Sequence, residues 1–261
     1  MDPQKVINKR RNILIAFLSL LVIFLVAIIL VSVLVKNDVI MSSINLGLLL
    51  IFLIISLVFR KPLFVSNTSA RVANLILKQG PPLVYQVNIV DNPQVFSAMG
   101  FTKQVHTSDF VMYYRHSLLR TTAFKKVYKL EVSYILKKTD YDFYHQDIEV
   151  EINKIENSFS KGERPTKYII IGYKNYESFD SVAKKELAEV VSYTLNRQNF
   201  SQINVGFVKK EARAYFLYSE KYAPSMYYQE AVEFIKNVIS DRKEIYLNDP
   251  LKKIKKNKRA R

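Results

Sequence analysis

The hydrophobic pattern opens with two apolar blocks, Ile13–Val35 and Val39–Phe59, neither of which contains an Asp, Glu, Lys or Arg residue. Each block exceeds the about 20 residues that an α-helix needs to cross the hydrocarbon core of a bilayer. Only Lys36, Asn37 and Asp38 separate them, so the two helices must run antiparallel. The pattern predicts a transmembrane α-helical hairpin over residues 13–59 (spans 13–35 and 39–59).

Basic residues cluster on one side of this hairpin. Residues 1–12 contain Lys5, Lys9, Arg10 and Arg11 with a single acid, and Arg60 and Lys61 follow the second block, whereas the turn is neutral. Because positive residues near span ends stay in the cytoplasm, we expect a multi-pass cell-membrane protein with cytoplasmic N- and C-termini. A cleaved signal peptide is the alternative for the first block, but its length and the second span that follows disfavour it.

The second block carries small and polar residues near its outer end. Ser43 and Gly47 have the four-residue spacing that allows helices to approach closely. We interpret them as packing against the first helix of the same chain, with homodimerisation as the alternative. Ionisable residues, which pores and transporters usually place in the membrane, are missing from both spans, so the hairpin is predicted to be an anchor.

Residues 60–82 are predicted to form a juxtamembrane helix and linker. Apolar positions within Ser66–Lys78 repeat with helical spacing, and Gly80 followed by two prolines is typical of a helix stop and a domain boundary.

Residues 83–249 read as a cytoplasmic domain in which strands and helices alternate. The predicted strands are Leu83–Val90, Phe101–His106, Phe110–His116, Lys126–Leu136, Lys167–Tyr173, Ile203–Val208 and Ala212–Tyr218, and the predicted helices are Asn92–Gly100, Tyr141–Phe159, Ser178–Leu195 and a last one capped by Ser225 and ending at Ile239. The segment Tyr141–Phe159 also shows some strand-like alternation.

The predicted strands and helices do not alternate as regular βαβ units, and their order therefore predicts an α+β fold. Residues 83–160 and 167–240 both follow the order of a β-α-β-β-α unit, which is compatible with a pseudo-duplication although no residue identity supports one. Two packed halves, or one mixed sheet with helices on one face, would both fit this order.

Composition excludes several kinds of chemistry. The chain has no cysteine, which excludes disulfides, thiolate zinc sites, iron–sulfur clusters and Cys nucleophiles. Phosphate-binding glycine loops, zinc-peptidase motifs and nucleophile elbows are also missing from the sequence. We therefore predict no cofactor and no metal. The absence of Trp and the excess of Lys over Arg are typical of an AT-rich bacterial genome.

The formal net charge of +16 is concentrated at the two ends of the chain. Residues 250–261 are predicted to form a flexible polybasic tail, with bases at Lys252, Lys253, Lys255, Lys256, Lys258, Arg259 and Arg261. Near a membrane, such a tail is attracted to anionic lipid headgroups. Nucleic acid or the ribosome is an alternative partner, and a solvated tail without a partner is another.

Two groups of residues are candidates for chemistry or binding. If Tyr141–Phe159 is helical, Asp142, His145 and Glu149 share one face and could hold a divalent metal or act as an acid–base pair; the alternative is an ordinary solvated face.

The second group is the predicted hairpin with Lys209, Lys210 and Arg213 beside Tyr215 and Tyr218. Bases with interleaved aromatic residues can grip single-stranded nucleic acid. Lysines at a hairpin tip are also a common solubility device.

Together these features predict a non-enzymatic, membrane-anchored binding or scaffold module that recruits a protein partner to the inner face of the membrane. The alternatives are a membrane-tethered, metal-dependent hydrolase or nuclease centred on His145, and a nucleic-acid- or ribosome-binding protein at the membrane.

Overall fold

The computed structural model describes residues 2–121, 126–195 and 198–240. The polybasic tail, including Lys252–Arg261, lies outside the described residues. The chain divides into two compact units, one ending at Leu77 and the other beginning at Lys78.

The first unit consists of two long helices, α1 (Pro3–Leu34) and α2 (Asp38–Leu77). The Asp2 side chain caps α1 by accepting a hydrogen bond from the Gln4 N–H. Asn37 Oδ1 accepts bonds from the Val39 and Ile40 N–H groups at 3.0 and 3.1 Å, and this cap allows a very short turn. Both helices are long and apolar enough to cross a membrane, and no residue of their most apolar stretches is buried.

Helix α2 does not stop at the end of the second apolar block. It continues through Pro62 to Leu77. The juxtamembrane segment predicted as a helix over Ser66–Lys78 is therefore helical as far as Leu77, but it is the end of α2 and not a helix of its own. Past the proline, the small residues Ser66, Ala70 and Ala73 are buried and recur on one side of the helix. This packed stripe maintains the helix although Pro62 cannot donate a backbone hydrogen bond.

The second unit is built on one mixed sheet of eight strands. The strands are β1 (Leu83–Val84), β2 (Thr102–His106), β3 (Phe110–Thr121), β4 (Lys126–Leu136), β5 (Lys167–Tyr176), β6 (Val191–Leu195), β7 (Gln198–Val208) and β8 (Arg213–Tyr215). Their spatial order is β1-β8-β7-β5-β4-β3-β2, and β6 also pairs with β7. The neighbours β4, β5 and β7 run parallel to one another, and all other pairs are antiparallel.

Helices cover both faces of this sheet. On one face, Leu130, Val132 and Tyr134 of β4 pack with Ile148 and Ile155 of α4 (Gln146–Ser158), and Leu187 of α5 (Ser181–Ala188) joins the same core. The short α3 (Val95–Ala98) and α6 (Met226–Ile239) lie on the other face, where the Phe96 ring contacts Tyr173 and the Lys129 ammonium pairs with Glu230. The unit is therefore an α/β domain with one mixed sheet. Of the two arrangements that fit the sequence, the single mixed sheet is confirmed, but its helices lie on both faces and not on one.

The strands of both sequence halves, 83–160 and 167–240, belong to this same sheet. The second half also contains the strand β6, which the proposed β-α-β-β-α unit does not include. The helix predicted over Ser178–Leu195 ends at Ala188, because residues 191–195 pair with β7 instead. Val191 and Thr194 are β-branched residues that favour such an extended conformation.

Other predicted elements are confirmed or shortened. The hairpins β2–β3 and β7–β8 are present, and Ser225 caps α6 by accepting a hydrogen bond from Tyr228 N–H at 3.1 Å. Of the strand predicted over Leu83–Val90 only Leu83–Val84 pairs, and the helix predicted over Asn92–Gly100 is reduced to Val95–Ala98.

Candidate functional site

An open groove with a volume of about 350 Å³ lies between α4 and the sheet, and its lining includes the predicted site residues His145 and Glu149. One wall is a stripe of α4 that includes Glu149, Ile152 and Glu156. These positions face the same way because residues three and four apart in a helix share one side. Ile148 and Ile155, on the adjoining side, are buried in the core. We call this feature the α4 groove.

The opposite wall of the α4 groove is a row of three aromatic rings, Tyr168, Phe200 and Tyr193. Strand register places them side by side, since Phe200 of β7 pairs with Tyr168 of β5 and with Tyr193 of β6. The ring centroids of Tyr168 and Phe200 are 5.9 Å apart, and those of Tyr193 and Phe200 are 5.4 Å apart with nearly parallel planes. Sequence analysis missed this aromatic row, because its third member lies on the strand that was predicted as a helix.

The charge of the groove is opposite in sign to that of the chain. Glu149 and Glu156 line it, and the described residues that line it include neither a Lys nor an Arg, although the chain as a whole carries +16. Arg164, outside this lining, acts electrostatically on the Tyr168 hydroxyl. Burial raises the pKa of the Tyr168 hydroxyl, and the neighbouring Glu156 carboxylate raises it further. The α4 groove therefore combines an apolar aromatic wall with fixed negative charge.

Polar groups at the base of the groove are satisfied within the fold. The Tyr134 hydroxyl donates to the Phe143 carbonyl at 2.8 Å and accepts from Gln202 Nε2 at 3.2 Å. The Tyr144 hydroxyl donates to the Glu189 carbonyl at 2.6 Å, and burial raises the pKa of Tyr144 to about 12. These bonds hold the base of the groove in a defined shape.

The predicted trio Asp142, His145 and Glu149 does not share a helical face. Helix α4 begins at Gln146, so Asp142 precedes it, and His145 is the N-cap residue. His145 Nδ1 accepts a hydrogen bond from Asp147 N–H at 3.3 Å, and Asp142 accepts one from Tyr144 N–H at 2.9 Å. His145 and Glu149 line the α4 groove, whereas Asp142 is not part of its lining.

Within the part of the chain that the structure describes, no group of three or more His, Cys, Asp or Glu residues is arranged to hold a metal ion. The helix predicted over Tyr141–Phe159 is shorter because the side chains before Gln146 form capping bonds with backbone N–H groups.

The basic hairpin predicted to contact nucleic acid uses its aromatic rings inside the fold. The Tyr215 ring stacks on Phe179 with centroids 4.0 Å apart, and the buried Tyr218 donates from its hydroxyl to the Pro81 carbonyl at 2.7 Å. Lys209 forms an ion pair with Asp91 at 2.9 Å. Lys210 and Arg213 are exposed, and a role for these three bases in nucleic-acid binding stays a prediction.

The contacts between α1 and α2 define the register of the hairpin. Phe17 contacts Phe59 and Phe24 contacts Phe52, with ring centroids 5.6 and 5.3 Å apart. Asn45 Nδ2 donates to Ser32 Oγ at 3.1 Å. Counted from these contacts at a rise of 1.5 Å per residue, the stretch in which both paired helices are apolar is about 30 Å long. We call this stretch the apolar slab.

Gly47 does not pack against α1. A Cβ atom at this position would meet no other atom within 4 Å, and the Ser43 hydroxyl donates to the Val39 carbonyl of its own helix. The interpretation that Gly47 packs closely on the first helix of the same chain was therefore wrong, and homodimerisation through this face stays a prediction.

No protein-family model, no curated protein and no solved structure matches this chain, so its functional interpretation depends on its own residues and geometry.

Proposed function

We propose that this protein is a membrane-anchored binding module: α1 and α2 cross the cell membrane, both termini are cytoplasmic, and the α/β domain binds a protein partner at the inner face. The main support for a membrane anchor is the exposure of apolar side chains along both helices. Ile23 is 65% exposed, Leu53 58% and Val33 74%. Exposed apolar area costs about 25 cal/mol per Å² in water and nothing comparable in hydrocarbon.

The register of the hairpin supports the proposed orientation. At one end of the apolar slab, on the Phe17–Phe59 register, Arg60 and Lys61 lie about 6–8 Å nearer the turn than Arg11 does, so the two helices place bases at successive depths. At the other end the turn contributes one Lys and one Asp, which cancel. This asymmetry favours a cytoplasmic location for the basic end.

The absence of cysteine makes the orientation simple to test by single-cysteine labelling in intact cells. Lys36→Cys, in the turn, should react with a membrane-impermeant maleimide from outside. Lys161→Cys, in an exposed loop after α4, should react only after the membrane is permeabilised. The reverse pattern, or a full-length chain that stays soluble without detergent, would overturn the proposed anchor.

The bases of the tail, Lys252–Arg261, support an additional contact with anionic lipid headgroups, at about 1 kcal/mol for each base near the surface. The full chain can be placed in nanodiscs of neutral or anionic lipid and treated with trypsin. Tail cleavage should be slower on the anionic discs. Equal cleavage rates on both would argue against lipid binding by the tail.

A binding role, rather than catalysis at His145, is supported by what the candidate residues already do. Asp142 and His145 both accept backbone hydrogen bonds at the start of α4. The α4 groove beside them offers the partly apolar, concave surface that is typical of binding sites.

A further inference from the structure

We propose that the α4 groove binds an extended, lysine- or arginine-bearing polypeptide segment of a partner protein. This inference rests on the proposed function and specifies the partner class of the same module. Three features support it: the aromatic row, the two carboxylates on α4, and the edge of β6 that pairs with no other described strand.

The charge distribution identifies the sign of the partner. Glu149 is exposed and Glu156 half-buried on the groove side of α4, and the lining contributed by the described residues contains His145 but no Lys or Arg. A phosphate backbone or an anionic headgroup would be repelled here, whereas an ammonium or guanidinium group would be attracted.

The aromatic row adds a second means of recognising a cation. The rings of Tyr168, Phe200 and Tyr193 line the groove together with the two carboxylates. The methylene groups of a Lys or Arg side chain can cover such an aromatic surface, and a cation that reaches a ring face is attracted by the negative quadrupole of the ring. Carboxylates and rings in one groove therefore suit a long cationic side chain.

The edge of β6 favours a polypeptide over a small amine. Among the described strands, β6 pairs only with β7, which leaves the backbone groups on its outer edge available for another strand. A strand added there would direct alternate side chains toward the sheet face that carries Tyr193. Backbone bonding to β6 and side-chain binding in the groove can thus occur together.

The test uses the full chain in neutral detergent and a fluorescein-labelled peptide of alternating valine and lysine, with a valine–glutamine peptide as the neutral match. The lysine peptide should bind, with an affinity that falls as salt rises, and the glutamine peptide should not. The double variant Glu149→Gln/Glu156→Gln should weaken binding by about tenfold.

Two further variants keep this test interpretable. Glu149→Gln alone alters only an exposed side chain and should weaken binding by about threefold. Glu151→Gln is the matched control: it changes the same residue type on the same helix, but Glu151 pairs with Lys154 outside the groove. This variant should bind the lysine peptide with the same affinity as the unaltered chain.

Three outcomes would overturn the inference. No binding of the lysine peptide by any variant would exclude this partner class. Binding that appears only after residues 250–261 are removed would show that the chain's own tail occupies the groove. Binding that the double variant leaves unchanged would place the peptide elsewhere, and the membrane-anchored binding module would still stand.

Discussion

The hairpin and the α/β domain place apolar and polar side chains in opposite ways. In the hairpin, apolar side chains point outward, and the contacts between the two helices include a few Phe rings and the Asn45–Ser32 and Arg10–Asn67 hydrogen bonds. In the domain, even charged groups are enclosed: the Lys174 side chain is 1% exposed and lies 2.8 Å from Glu186.

The difference follows from the solvent that each region is suited to. A helix satisfies its backbone hydrogen bonds internally, so in lipid it needs no buried side chain to remain folded. A sheet covered on both faces must bury nearly every side chain of its central strands, including polar ones, which then need partners. Mutations should therefore have large effects in the domain and small effects in the hairpin.

The largest effect should come from removing the partner of Lys174. Glu186→Ala leaves a buried ammonium group with only the Tyr141 carbonyl, at 3.0 Å, as a hydrogen-bond acceptor, and should lower the free energy of unfolding by about 3–5 kcal/mol. Urea unfolding of the full chain in mild detergent, followed by tyrosine fluorescence, measures the change.

The charge explanation has its own control. The double variant Lys174→Met/Glu186→Ala removes both charges and should recover a large part of the lost stability. If the double variant is as unstable as Glu186→Ala alone, the loss comes from packing or from the Tyr176 hydroxyl, which also donates to Glu186, and not from an unpaired charge.

A matched pair of glycine substitutions compares the two regions directly. At Gly172 in β5, an added Cβ would lie 2.5 Å from Phe143 Cδ1 and 2.6 Å from Tyr134 Cζ, and both rings are buried. Gly172→Ala should lower the free energy of unfolding by about 1–3 kcal/mol. Thermal unfolding of the full chain in detergent provides the measurement.

Gly47→Ala is the same change in open surroundings, and replacing a helical glycine by alanine should be neutral or stabilising by up to about 1 kcal/mol. A loss at Gly47 as large as that at Gly172 would contradict the contrast between the regions. A shift from dimer to monomer in Gly47→Ala would instead support the homodimer alternative.

The smallest effect should be at the Ser32–Asn45 hydrogen bond between the helices. A double-mutant cycle of Ser32→Ala and Asn45→Ala should give a coupling energy of about 0.6 kcal/mol, as is usual for hydrogen bonds between transmembrane helices. Pyrene excimer fluorescence from Lys5→Cys and Arg71→Cys, recorded during titration with sodium dodecyl sulfate, reports opening of the hairpin. A coupling energy above about 2 kcal/mol would show that this bond is a main determinant of the hairpin.

Long, uniform patterns in the sequence determined the helical hairpin, the β7–β8 hairpin and the Ser225 cap of α6. Two uncharged apolar blocks with a three-residue connection favour an antiparallel helix pair, because each block is long enough for a helix that could cross a bilayer. A serine before an amphipathic run likewise identifies the start of a helix from neighbouring residues alone. None of these features needs a distant partner.

Only the tertiary structure decided the groove and the site within it. The segment after α5 has the apolar spacing of a helix, but pairing with β7 makes it a strand and brings Tyr193 beside Phe200. Whether this segment forms a helix or a strand depends on contacts with residues distant in the sequence. The free energies of these contacts exceed the small local propensities, so the local pattern could not specify the strand.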